Sequence, residues 1–157
     1  WGEFEDLIPN KKSLNQIFPF FLHRSADKNL IVSFVAKQTG LAIFKYNMFT
    51  LRLFRGPLDW LSRMYNSEFI ITDSFHGVAF SILFRKKFIV LCSEPQKFTR
   101  ITSLLEMVNL YDRYVKSYDD LLNRWDTLSA NIDFNYANKI LEEQRKKAKI
   151  YLRKVFG

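Results

Sequence analysis

The chain has 157 residues, is 48% hydrophobic and 25% charged, and carries a net charge of +8. That describes one globular domain rather than a disordered segment. A single Cys excludes an internal disulfide, two His and one Cys exclude His-rich and Cys-rich zinc sites, and five scattered glycines exclude a Gly-rich phosphate loop.

Residues 1–16 read as a leading loop containing Pro9, followed by one α/β domain over 17–157. Ile17 to Leu22 is a short apolar run that predicts a strand, and Pro19 places it at a sheet edge. Ser25 or Asp27 caps a helix over about 28–39 that Gly40 ends. Leu41 to Tyr46 reads as a second strand. Gly56-Pro57 opens a helix to about Asn66, with Leu58, Leu61 and Tyr65 at helical spacing. Phe69 to Thr72 is a β-branched run expected to be buried on both faces. Asp73-Ser74-Phe75-His76-Gly77 is the turn after it, and Val78 to Phe84 is a helix apolar nearly all round. This run is far shorter than the ~20 residues of a membrane span.

Phe88 to Cys92 is a further buried strand, which makes a β-α-β unit. A helix over about 99–108, a short strand at 113–115 and a weakly patterned helical segment at 117–132 follow. Asp133 or Asn135 caps the last helix, whose stripe is Phe134, Ala137, Leu141, Ala148, Leu152 and Val155. The alternation predicts a Rossmann-like layered α/β domain with a mostly parallel sheet and a Phe-rich core, given 16 Phe. From Lys139 onward there are seven basic residues and two acids, so this stretch holds +5 of the +8. It reads as a solvated face or as a surface for an anionic lipid or other acidic partner.

In an open α/β sheet, ligands bind at the carboxyl ends of strands beside helix N-termini. Asp73 to His76 are expected there, where the helix start favours an anion. Ser74 adds a hydroxyl, and His76 can donate, accept or carry charge near neutral pH. Gly77 permits close backbone approach. Asp73 is expected to cap the helix, and Phe75 to pack. Lys97 and Arg100 follow the next strand and either reach the same edge or lie solvated at a helix start. His23-Arg24 follows the first strand and precedes a helix, so a repeat of the arrangement there is an alternative rather than the leading expectation. Arg85-Lys86-Lys87 reads as a solvated turn and Cys92 as core. A Ser-His-Asp hydrolase triad is not expected, because residues 73, 74 and 76 are too close in sequence for one turn to aim them at one another.

The block Glu68-Phe-Ile-Ile-Thr-Asp-Ser-Phe-His-Gly-Val-Ala-Phe-Ser-Ile-Leu-Phe84 resembles the signature of the polysaccharide pyruvyl transferase family. The likeness continues through Lys87 to Leu91, Arg100 to Leu105, Leu110 to Arg113 and Ile132-Asp133. It covers roughly 65–155, and 17–66 more loosely. The resemblance implies the C-terminal half of a two-domain, GT-B-like bacterial protein. Such a protein transfers the pyruvyl group of phosphoenolpyruvate to two hydroxyls of one sugar, forming a ketal on an exopolysaccharide, capsule or cell-wall glycan.

The implied catalytic residue is His76. The implied substrate contacts are Ser74, Phe75 and Lys97, with Gly77 and Arg100 added from this sequence's own pattern. Some relatives carry Arg where this chain has Ser74. No metal or redox cofactor is implied. The implied partners are phosphoenolpyruvate, a glycan or lipid-linked sugar acceptor and a missing N-terminal domain. A peripheral membrane contact through the basic last helix is a further expectation, and nucleic acid is not expected. The chain begins at Trp1 rather than Met, so we read it as part of a longer protein, inactive or weakly active alone. The expected location is cytoplasmic, at the inner face of the inner membrane. The competing readings are the donor-binding half of a nucleotide-sugar glycosyltransferase, a non-enzymatic anion- or membrane-binding module, and an inactive family member.

Overall fold

The computed structural model describes residues 12–23, 25–45, 56–92 and 98–156. Five strands form one parallel sheet in the order β2-β1-β3-β4-β5. They are β1 (Leu14–Phe20), β2 (Ala42–Ile43), β3 (Ser67–Thr72), β4 (Lys87–Leu91) and β5 (Tyr114–Val115). The described helices are α1 (Ala26–Thr39), α2 (Pro57–Asn66), α3 (Phe75–Leu83), α4 (Thr99–Met107), α5 (Tyr118–Asn123), α6 (Trp125–Ser129) and α7 (Asn135–Phe156). A 3-10 turn, Tyr111–Arg113, leads into β5.

The two-residue period of a strand divides the core cleanly. Phe18, Ile70, Phe88, Val90 and Tyr114 face one side, where they meet Leu61 and Met64 of α2, Val78 and Ile82 of α3, Ile101 and Leu105 of α4, and Ala137 of α7. Ile17, Phe69, Ile71, Ile89, Leu91 and Val115 face the other, against Ile31, Val32 and Val35 of α1, Leu121 of α5 and Leu128 of α6. Helices therefore cover both faces, which is why β3 and β4 read as continuous apolar runs. The core is rich in Phe as expected, and Trp60 stands edge-on to Phe20 and Phe80 at 4.9 and 5.8 Å between centroids.

Local signals set several boundaries. The Ser25 hydroxyl accepts from Lys28 N–H at the start of α1, and Gly40 closes it with φ +70°. Pro57 opens α2.

The structure corrects other expectations. β1 begins at Leu14, so residues 14–16 belong to the sheet rather than to the leading loop. It is an inner strand despite Pro19. The Ile17 carbonyl accepts from Phe44 N–H on the β2 side, so alternation turns Pro19 to that same side. β2 pairs only with Gln16 and Ile17. The missing N–H of Pro19 therefore lies beyond the end of β2.

β2 itself is two residues long, and Tyr46 lies outside the described residues. In α2 the buried stripe is Leu61 and Met64, whereas Leu58 is exposed. α3 starts at Phe75, three residues earlier than expected, and one side of it stays part-exposed at Ala79, Phe80 and Leu83. The stretch 117–132 resolves into two short helices, too short to show a stripe. The stripe of α7 is buried at Phe134 and Ala137, half-buried at Leu141, and exposed from Glu142 onward.

Candidate functional site

Parallel strands bring the carboxyl ends of β1, β3 and β4 to one edge. Phe20 pairs with Thr72, and Thr72 with Val90. The β3–α3 turn is built on Thr72. Its hydroxyl donates to the Phe20 carbonyl at 2.7 Å and accepts from Ser74 N–H at 3.0 Å. A Cβ on Gly77 would lie 2.2 Å from Thr72 Oγ1. Gly77 is thus the residue that lets the first turn of α3 rest on β3. It is buried and acts through packing, not through an open approach to a ligand.

Asp73 does not cap α3. The N-cap position belongs to Ser74, whose side chain makes no capping bond. Asp73 is buried, and its carboxylate reaches across to the segment after β1. Leu22 N–H donates to Oδ1 at 2.7 Å, His23 N–H to Oδ2 at 3.5 Å, and Lys28 Nζ to Oδ2 at 2.5 Å. Lys28 Nζ also donates to the His23 carbonyl at 2.7 Å and faces the Phe21 ring at 5.4 Å. The sequence gives no local sign of this clasp, because its partners lie 45 to 51 residues apart.

His76 is exposed in the first turn of α3, beside Phe75 in an edge-on contact with centroids 6.0 Å apart. Phe75 is half-buried and packs against the core on its α2–α4 side, as expected. Its ring also carries the Arg100 guanidinium of α4, 5.5 Å from the centroid. Phe75 therefore touches both His76 and Arg100, while Ser74 is buried. His23 is exposed on the neighbouring turn. Lys97 and Arg24 lie outside the described residues.

Cys92 is buried at the end of β4, and its carbonyl accepts from the Tyr114 hydroxyl at 2.7 Å. Burial, followed by the neighbouring Cys92, pushes the Tyr114 phenol well above its ordinary range. Arg113 is buried away from the site, donating to the carbonyls of Thr127 and Leu128. Arg85, Lys86 and Lys87 line an open cavity of about 700 Å³ with Glu68 and Asn131, at the opposite, amino-terminal edge of the strands. Among the described residues, no three His, Cys, Asp or Glu side chains cluster as a metal site.

The class is an α/β domain that presents a helix start, an exposed imidazole and a guanidinium at the carboxyl edge of a parallel sheet. Such an edge suits an anionic ligand. The polysaccharide pyruvyl transferase family profile matches residues 3–92, more than half of the chain, and the chain belongs to that family. The match includes the 68–84 block and ends at Cys92, so Arg100 and α7 lie outside it. No curated protein and no solved structure matches the chain.

Proposed function

We propose that the carboxyl-edge site binds phosphoenolpyruvate and serves pyruvyl transfer to a sugar. The observation that carries this reading is that exposed His76, at the start of α3, and Arg100, at the start of α4, both lie against Phe75, in a chain of the pyruvyl transferase family. Phosphoenolpyruvate presents a phosphate and a carboxylate. The first turn of α3 takes one, and Arg100 with Lys97 takes the other.

The reaction adds a proton to the methylene carbon while a sugar hydroxyl attacks the adjacent carbon, and the hydroxyl proton leaves. The second hydroxyl then displaces phosphate and closes the ketal. The sum is phosphoenolpyruvate plus a diol giving ketal plus inorganic phosphate. In this reading His76 holds and moves the proton. The acceptor we propose is a free or lipid-linked bacterial glycan, at the cytoplasmic face of a membrane.

The test is phosphate release from phosphoenolpyruvate with candidate glycans, using the protein at its native length. A pyruvate ketal on the acceptor, lost in His76→Ala, is the expected result. Transfer from a UDP- or GDP-sugar, with phosphoenolpyruvate inert, would overturn the reading.

A further inference from the structure

The stripe that docks α7 onto the domain does not stop where the domain stops. Phe134 and Ala137 are buried and Leu141 is half-buried against the α2–α4 side of the sheet. After a polar gap at Gln144 and Arg145, the stripe resumes on the same 3.6-residue period with Ala148, Leu152 and Val155, all exposed. Tyr151 and Phe156 flank it, and four of these side chains stay largely open: Leu152 51%, Val155 52%, Tyr151 66% and Phe156 81%.

Charge is distributed around that stripe in one sign. Residues 144–156 hold Arg145, Lys146, Lys147, Lys149, Arg153 and Lys154 and no acid. Lys149 lies on one shoulder of the stripe, and Lys147 and Lys154 on the other. Their aliphatic stems can lie along the apolar face while the ammonium heads point outward.

We infer that the outer part of α7, Gln144–Phe156, lies in the surface of an anionic lipid bilayer. The chemistry of the two faces selects this occupant. Nucleic acid would satisfy the cations and leave Leu152, Val155 and Phe156 unused. A neutral apolar groove would satisfy the stripe and strand the cations. A bilayer surface with anionic headgroups offers an apolar layer and a negative rim at once. No helix among the described residues is long and apolar enough to cross a membrane, so α7 rests on the surface rather than spanning it. The inference uses residues remote from His76 and stands whether or not the donor is phosphoenolpyruvate.

The test is co-sedimentation of the whole chain with vesicles of phosphatidylcholine, with and without phosphatidylglycerol. Binding to the anionic vesicles should be at least about tenfold tighter and should fall as ionic strength rises toward 1 M, where the Debye length is about 3 Å. Lys146→Gln/Lys147→Gln/Lys149→Gln should remove most of that preference. Leu152→Asp/Val155→Asp should weaken binding at least about tenfold with the cations intact. These residues are exposed, so an unchanged melting temperature verifies that both variants are folded. Absence of vesicle binding would overturn the inference. So would binding that survives Leu152→Asp/Val155→Asp, which would mark a purely electrostatic polyanion surface. Dimerisation abolished by that variant, with no lipid binding, would assign the stripe to a second copy.

Discussion

Lys28 Nζ lies 2.5 Å from Asp73 Oδ2, an ion pair between residues 45 positions apart that fastens the segment after β1 to the turn after β3. The Asp73 side chain is 2% exposed and that of Lys28 is 19%. The pair orders the backbone of Leu22 and His23 as well, so it shapes the edge on which His76 stands.

Removing one partner of a buried pair leaves the other charge uncompensated. Asp73→Ala should therefore cost about 3–5 kcal/mol of stability. Asp73→Asn keeps an acceptor for Leu22 N–H and should cost less. Urea unfolding of the two variants checks this. A loss under ~1 kcal/mol for Asp73→Ala would put the carboxylate outside the fold's support.

Gly77→Ala places a methyl 2.2 Å from Thr72 Oγ1. Moving α3 away from β3 should cost about 1–3 kcal/mol. The clash is with one side chain, so Thr72→Ala should relieve part of it. The double variant is expected to be more stable than the sum of the two single losses. Strict additivity would mean that Gly77 does not bear on Thr72.

Tyr114 gives a pH prediction with a definite sign. Its phenol is raised above the ordinary value of about 10 by burial first and by Cys92 next. The folded state therefore prefers the neutral phenol. Its contribution is complete below pH ~10 and is lost as pH rises toward the folded value. Tyr114→Phe removes the hydrogen bond to the Cys92 carbonyl and should cost about 1–2 kcal/mol at neutral pH. The gap between wild type and variant should narrow above pH ~10. A gap that widens there would contradict the assignment.

Much of this was readable in the residues because the signals are local. Ser25, Gly40 and Pro57 bound their helices by capping chemistry that spans only a few positions. Strands β3 and β4 announce themselves by unbroken apolar runs. The residue types around Asp73 permit a cap, whereas its partners, Leu22 and Lys28, come from another crossover. Pro19 pointed to an edge strand, and only the length of β2 reveals why an inner strand tolerates it. Residues of the α7 stripe look alike in sequence, yet the sheet reaches only as far as Leu141.

His76 is exposed, so His76→Ala should leave stability within about 0.5 kcal/mol. If it moves the proton, the same change should lower kcat by about 10²–10³-fold. Arg100→Ala should act mainly through a higher KM for the donor, with Arg100→Lys recovering part of it. An Arg100→Ala variant with an unchanged KM would remove Arg100 from the anion site.

The most direct measurement is thermal unfolding of this chain with phosphoenolpyruvate, beside inorganic phosphate and a UDP-sugar. At a hundred times its dissociation constant a specific ligand adds about 2.7 kcal/mol. For a domain of this size that is a rise of about 5–10 °C. The account predicts that rise with phosphoenolpyruvate, a smaller one with phosphate, and loss of the difference in His76→Ala. A rise with the UDP-sugar alone, or none with phosphoenolpyruvate, would contradict it.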